Sequence, residues 1–268
     1  MSTGAFITFE GGDGAGKSTH IRFLAERLQE RGREVVCLRE PGGTKVGEAL
    51  RAVVLDPANE GLCAEAELLI YEAARAQIVR EVIEPALERG AVVLCDRFFD
   101  STVAYQAAGR GLDRAFVDAA NRFAAGGLVP DRTLLMVCGS ADAGLARATG
   151  GGDTADRLEQ AGHAFHERVA EGFARIAAEE PDRVRVIDSS GARSVTSATI
   201  FHALSDLFPW MADANVCDEA FFAVLDEPSR AARLAGGGAS RGGDGAQPAS
   251  GAAAADGARP GKEAPAHG

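Results

Sequence analysis

An α/β fold with a parallel sheet is what this sequence predicts, and three observations predict it. Short, unbroken apolar runs recur along the chain, beginning with Phe6-Ile7-Thr8-Phe9. Between them lie stretches whose apolar residues return at helical spacing, such as Ile21, Leu24, Ala25 and Leu28. The runs also deliver polar residues at their C-terminal ends, as Ala91 to Cys95 delivers Asp96-Arg97. Apolar runs without alternation suit strands buried on both faces, and the helical stretches between them supply the crossovers that parallel strands need.

The elements follow in order. Strand Phe6–Phe9 enters EGGDGAGKST at residues 10–19, and the helix after it closes at Gly32. Glu34 to Leu38 reads as the second strand, and Pro41 with its glycines breaks it into a loop. Helical character returns from Val46 to Leu55 and again from Ala64 to Leu87, where Pro85 should kink or end the helix. Ala91 to Cys95 is the third strand. Ser101 to Gln106 is too rich in hydroxyls for a plain core helix. Phe116 to Phe123 is helical, Thr133 to Cys138 is the fourth strand, and Ala141 to Ala148 resumes helix. A glycine-rich stretch, Thr149 to Thr154, reads either as a hinged lid or as a solvated loop. Leu158, Phe165, Val169, Phe173 and Ile176 stripe a long helix, Arg183 to Ile187 is the fifth strand, and Val195 to Phe208 the last main helix. The folded domain is expected over residues 1–210, with a possible short helix in 211–234 and a disordered tail over 235–268. That tail holds no Val, Ile, Leu, Met or aromatic residue with which to offset its ordering entropy.

A net charge of -11 speaks against broad binding to nucleic acid or an anionic membrane. Anionic ligands must then be met by specific cations. The five cysteines form no C-x-x-C pair, and Cys37, Cys95 and Cys138 fall in strand-like runs, where they read as small core residues. With no apolar run near about 20 residues and no signal peptide, a cytoplasmic location is expected.

Residues 11–18 hold the spacing G-x-x-x-x-G-K-S between a strand and a helix. Backbone amides at Gly14, Ala15 and Gly16 can wrap a phosphate there, Lys17 can reach the β- and γ-phosphates, and the Ser18 hydroxyl can ligate Mg²⁺. The nucleotide-binding set is therefore Gly11, Gly12, Asp13, Gly14, Ala15, Gly16, Lys17, Ser18 and Thr19. Asp96 is a candidate second Mg²⁺ ligand and Arg97 a phosphate clamp. Arg147 and Arg157 flank the glycine-rich stretch, from which either could approach a transferring phosphoryl group. Tyr71 and Arg75, at i and i+4, read from spacing alone as a surface cation–π pair. The guanine-reading N-K-x-D string of GTPases is absent, and the set suits a small phosphotransferase.

In this order, EGGDGAGKST, REPGGT, EAARAQ, DRFFDSTVAYQAAGRG and DRLEQ resemble bacterial thymidylate kinases, over about residues 5–208. The resemblance implies a three-layer fold with a five-stranded parallel sheet, usually a homodimer, that moves the γ-phosphate of ATP to dTMP. It implies that Lys17 holds the transferring phosphate, Asp13 meets the sugar 3′-hydroxyl and Arg97 clamps the dTMP phosphate. Tyr71 would stack on thymine where the family usually has Phe, and Arg75 would bond a thymine carbonyl. Thr102 and Gln106 would help to read the base edge, while Tyr105 would crowd the 2′ position. The chain departs from the family in a lid poor in arginine, leaving Arg147 and Arg157 in reach, and in Met136-Val137-Cys138-Gly139 where Leu-Asp-Val-Pro is typical. The alternative reading is a nucleotide-binding protein with weak or no transfer that recruits a partner through its C-terminal segment.

Overall fold

Strand β1 (Ala5–Glu10) is buried along its whole length because a sheet neighbour lies on each side and helices cover both faces. The computed structural model describes residues 4–139 and 156–227. In it, β2 (Val35–Arg39), β3 (Val92–Asp96), β4 (Arg132–Val137) and β5 (Val184–Asp188) join β1 in the order β2-β3-β1-β4-β5, every pairing parallel. Register sets Phe9 opposite Asp96, Glu10 opposite Leu135 and Arg39 opposite Asp96, so the functional ends of the strands reach one edge together. The chain leaves β1 for the β2–β3 side and later returns to its other flank with β4. Ligands of open α/β sheets bind at such a switch point.

One face carries α1 (Lys17–Glu30) and α8 (Arg193–Ala203), whose Phe23, Leu24, Leu28, Ile200 and Phe201 share a core with β1 and β4. That core also takes in Phe222 and Leu225, from the short helix α9 (Glu219–Ala223) and the turn after it. The other face is built by α2 (Lys45–Leu55), α3 (Ala64–Ile78), α6 (Arg114–Ala124) and α7 (His163–Glu179), together with the segment after β3.

Pro85 does not end its helix. After Ile78 the backbone widens into one π-helical stretch, Val79–Ile83, and resumes as α4 (Glu84–Glu88) with Pro85 in its first turn. The wider turn removes the clash between the proline ring and the carbonyl four residues before it. A second π-helical stretch, Val103–Gly109, continues α5 (Phe99–Thr102), and this is the hydroxyl-rich segment of the sequence. It lies against α7 so closely that a Cβ at Gly109 would stand 2.6 Å from the Phe165 ring. Of the cysteines expected in the core, Cys95 is buried, but Cys37 is exposed and Cys138 half-buried. Cys37 is on β2, an edge strand that is incompletely covered. The helix expected over 141–148, the glycine-rich stretch and the tail lie outside the described residues.

Candidate active site

The phosphate loop begins where β1 stops, and its path depends on Gly11. With φ at +122°, a Cβ there would stand 2.2 Å from the Met136 carbonyl oxygen of β4. Only glycine allows this backbone to pass between the strands. Gly16, at φ +87°, then turns the chain into α1, and no side-chain cap competes with an anion for the amides that open the helix. Lys17 folds back over the loop, and its Nζ donates to the carbonyls of Gly11 (3.1 Å) and Gly12 (2.9 Å). Burial lowers the Lys17 pKa, and the Arg97 charge lowers it further. Ser18 Oγ donates to Asp96 Oδ2 at 3.1 Å, which sets two hard oxygens side by side at the loop mouth.

Arg97, the residue after β3, is the one described non-glycine residue at positive φ (+72°). Left-handed backbone costs an arginine on the order of 1 kcal/mol, and three contacts hold it there. Its guanidinium donates to the Gly11 carbonyl (3.1 Å), to Ser101 Oγ (3.2 Å) and to Asp13 Oδ1 (2.6 Å). It also lies 5.1 Å from the centre of the Tyr105 ring. Burial pushes the Asp13 carboxyl up, but the charges of Arg97 and Lys17 outweigh it and hold the pKa below 3.8. Beneath them Glu10 accepts from the Phe98 amide (2.7 Å) and Ser101 Oγ (2.5 Å). Burial, and then the charge of Asp100, push Glu10 up to about 8.

A pocket opens beside this cluster. Asp13, Tyr71, Arg75, Arg97, Thr102, Tyr105 and Gln106, seven residues singled out from the sequence, all line it. Arg75 is no surface residue here: it is buried, and every N–H of its guanidinium is used. Nε and Nη2 donate to Glu40 Oε2, Nη2 also to Thr102 Oγ1, and Nη1 to Glu72 Oε1 and Asn121 Oδ1, all within 2.9 Å. Glu40 keeps one buried oxygen without a partner, and burial raises its pKa to about 7 against the pull of Arg75. The Gln106 amide nitrogen spends one of its two N–H groups on Glu67 Oε1 at 2.7 Å, which leaves the other N–H and the carbonyl oxygen for a ligand.

Arg157 is not brought into the pocket. Its guanidinium is buried against Glu67 and the Val54 carbonyl, because the fully buried Glu67 carboxylate draws in both Arg110 and Arg157. Arg147 lies outside the described residues. The sequence reading missed Arg51, which donates to the Pro41 carbonyl at 3.0 Å and lines both this pocket and the neighbouring cavity over the phosphate loop. A lone arginine within the apolar helix VGEALRAVVL, just after REPGGT, was the available signal. That second cavity runs over Gly14 to His20 toward Ser189, Gly191 and Arg193. The two cavities share Asp13, Glu40, Arg51 and Arg97.

A phosphate-loop protein with two adjoining polar cavities, suited to two phosphorylated ligands, is the class that this fold and site define. The thymidylate kinase family model matches residues 9–200. A thymidylate kinase of Pseudomonas fluorescens is 53% identical over 188 residues, 70% of this chain and 89% of that protein. One from Trichlorobacter lovleyi is 45% identical over 206 residues, 75% of this chain and 95% of that protein. The crystal structure of thymidylate kinase from Ehrlichia chaffeensis superposes with a TM-score of 0.62 at 32% identity, covering 75% of this chain and 99% of that one. The chain belongs to the thymidylate kinase family.

Proposed function

We propose that the chain transfers the γ-phosphate of ATP to dTMP, giving dTDP. The observation that carries this reading is the shared wall: Asp13 and Arg97 line both the cavity over the phosphate loop and the pocket of Tyr71, Arg75 and Tyr105. ATP would occupy the first, with its phosphates on the Gly14–Gly16 amides, and dTMP the second. The acceptor phosphate is already a nucleophile at neutral pH, so the protein supplies alignment and positive charge rather than covalent help. Lys17 would exchange the Gly11 and Gly12 carbonyls for the transferring phosphate, and Arg97 would hold the dTMP phosphate beside it. Asp13, kept ionised by these cations, accepts from the sugar hydroxyl. Tyr71 supplies a stacking face, while Thr102 and Gln106 present polar atoms to the base edge. For Arg75 to bond a thymine carbonyl as well, one of its present acceptors must share a donor. Arg157 would have to leave Glu67 before it could meet the phosphoryl group.

Ser18 and Asp96 fit Mg²⁺, which takes few protein oxygens and completes its shell with phosphate and water. Among the described residues no group of three or more His, Cys, Asp or Glu makes a closed metal cage. When bound there, the ion would neutralise charge on the β- and γ-phosphates. The protein would act as a homodimer: Phe116 and Phe123 of α6, Leu69 of α3, and Val46 and Val53 of α2 are exposed, and α3 packs against both α2 and α6. Among the described residues no helix is long and apolar enough to cross a membrane, and the five cysteines are free. A reducing cytoplasm suits that chemistry.

Steady-state transfer from ATP–Mg²⁺ to dTMP, dUMP, dGMP and AMP tests the assignment. Turnover with dTMP should exceed that with dUMP by roughly 10- to 200-fold, the value of one methyl group in a pocket. Lys17→Ala should cost at least about 10²-fold in kcat, as for other preorganised donors to a transition state. Binding of dTMP without transfer to any acceptor would sink the reading.

A further inference from the structure

Helix α8 starts without a cap of its own. Its N-cap residue is Ala192, which has no side-chain oxygen to offer the free amides of the first turn. The start of the helix stands at the wall of the cavity over the phosphate loop, where Gly191, Ala192 and Arg193 are lining residues. The missing acceptor comes from 32 residues further on: Asp226 Oδ1 accepts from the Ser194 amide at 3.3 Å, and Asp226 lines the same cavity.

The segment that carries Asp226 is locked in place. Phe222 sits 5.2 Å from Phe201 of α8, the rings perpendicular, and Phe221 lies 5.7 Å from Phe23 of α1. Leu225, directly before Asp226, is fully buried. Helix α9 itself is capped by Asp218, which accepts from the Phe221 amide at 2.8 Å. The segment thus bridges the helix that follows the phosphate loop and the helix that walls the far end of the cavity. A second tie joins the same two helices, His20 Nδ1 to Ser197 Oγ at 2.8 Å.

We propose that Asp226 is a positioning residue for the phosphate donor: its carboxylate caps α8 in trans and sets the wall against which ATP lies. This rests on the assignment of that cavity to ATP. The acceptor pocket shares no residue with the segment, so the effect is confined to one substrate.

The test uses Asp226→Ala and Asp226→Asn in the full chain, with KM for ATP and for dTMP measured separately. Binding of a non-hydrolysable ATP analogue by calorimetry runs alongside. Loss of a charged cap at a helix start should raise KM and Kd for the donor about three- to tenfold. Values of kcat and of KM for dTMP should stay within about twofold, and Asn, which keeps the accepting oxygen, should restore donor affinity. Asp226 is exposed, so the fold should tolerate either change. An unchanged donor affinity in the Ala variant would overturn the proposal, as would an equal rise in KM for dTMP, the mark of a merely structural effect. Absence of transfer by the unaltered protein would instead strike the kinase assignment, and the calorimetry would still decide the role of Asp226.

Discussion

His20 stands three residues beyond Lys17, buried beneath the phosphate loop with its ring bonded to Ser197. Burial, and then the charge of Arg193, lower its pKa from 6.5 to about 4. Above pH 6.5 the ring is neutral in both folded and unfolded chains, and the shift has no effect on stability. As pH falls from 6.5 towards 4, the unfolded chain takes up a proton that the folded chain refuses. Stability then drops by about 1.4 kcal/mol per pH unit, in total about 3 kcal/mol, and the loss is complete below pH 4. His20→Gln keeps a polar side chain for Ser197 but cannot titrate. Urea denaturation of both proteins from about pH 7.5 to about pH 4.5 isolates this one group, because Glu10 and Glu40 titrate alike in each. The advantage of the unaltered protein over the variant, or its deficit, should shift against the unaltered protein by about 2–3 kcal/mol over that range. Parallel curves within about 1 kcal/mol would refute the reasoning and mean that the buried ring accepts a proton without penalty.

Three further outcomes are expected. Gly11→Ala should lose nucleotide binding and lower the melting temperature, since its Cβ would stand 2.2 Å from the Met136 carbonyl; a variant that binds ATP normally would contradict the loop geometry. Arg75→Lys replaces five donors with three and leaves buried carboxylates under-partnered, so roughly 3–5 kcal/mol of stability should go, with a higher KM for dTMP. A thermal melt like that of the unaltered protein would show that Glu40 and Glu72 are held neutral without Arg75. Phe222→Ala should cost about 3–5 kcal/mol in chemical denaturation, the usual range for a buried ring. A negligible change would mean that the segment after Trp210 adds nothing to the core.

The strands, their order along the chain and the phosphate loop were legible because each depends on local pattern. An unbroken apolar run such as Phe6–Phe9 reports burial on both faces, and G-x-x-x-x-G-K-S encodes its own backbone path. Two features were not legible. The π-helical stretch before Pro85 depends on where the helix must lie against β3, which no i, i+4 pattern records. The cover over Cys37 depends on β2 being an edge strand, and edge or centre is a property of sheet order.

The candidate site divides in the same way. Residue type and spacing along the chain by themselves determined that a loop able to wrap a phosphate would stand at Gly11–Ser18, and that Asp96 and Arg97 leave a strand end together. Only the tertiary structure decided the use to which each charge is put. Tyr71 and Arg75 read as a surface pair from spacing, yet Arg75 is buried with all its donors engaged, because Glu40, Thr102 and Asn121 arrive from three other parts of the chain. Arg157 is turned onto Glu67 by the cost of leaving that carboxylate unpaired, and Asp226 meets α8 because two phenylalanines beside it find Phe23 and Phe201. Local geometry travels with the sequence. The partner of a buried charge is chosen by whatever the fold brings within about 3 Å of it, and that is set by packing across the whole chain.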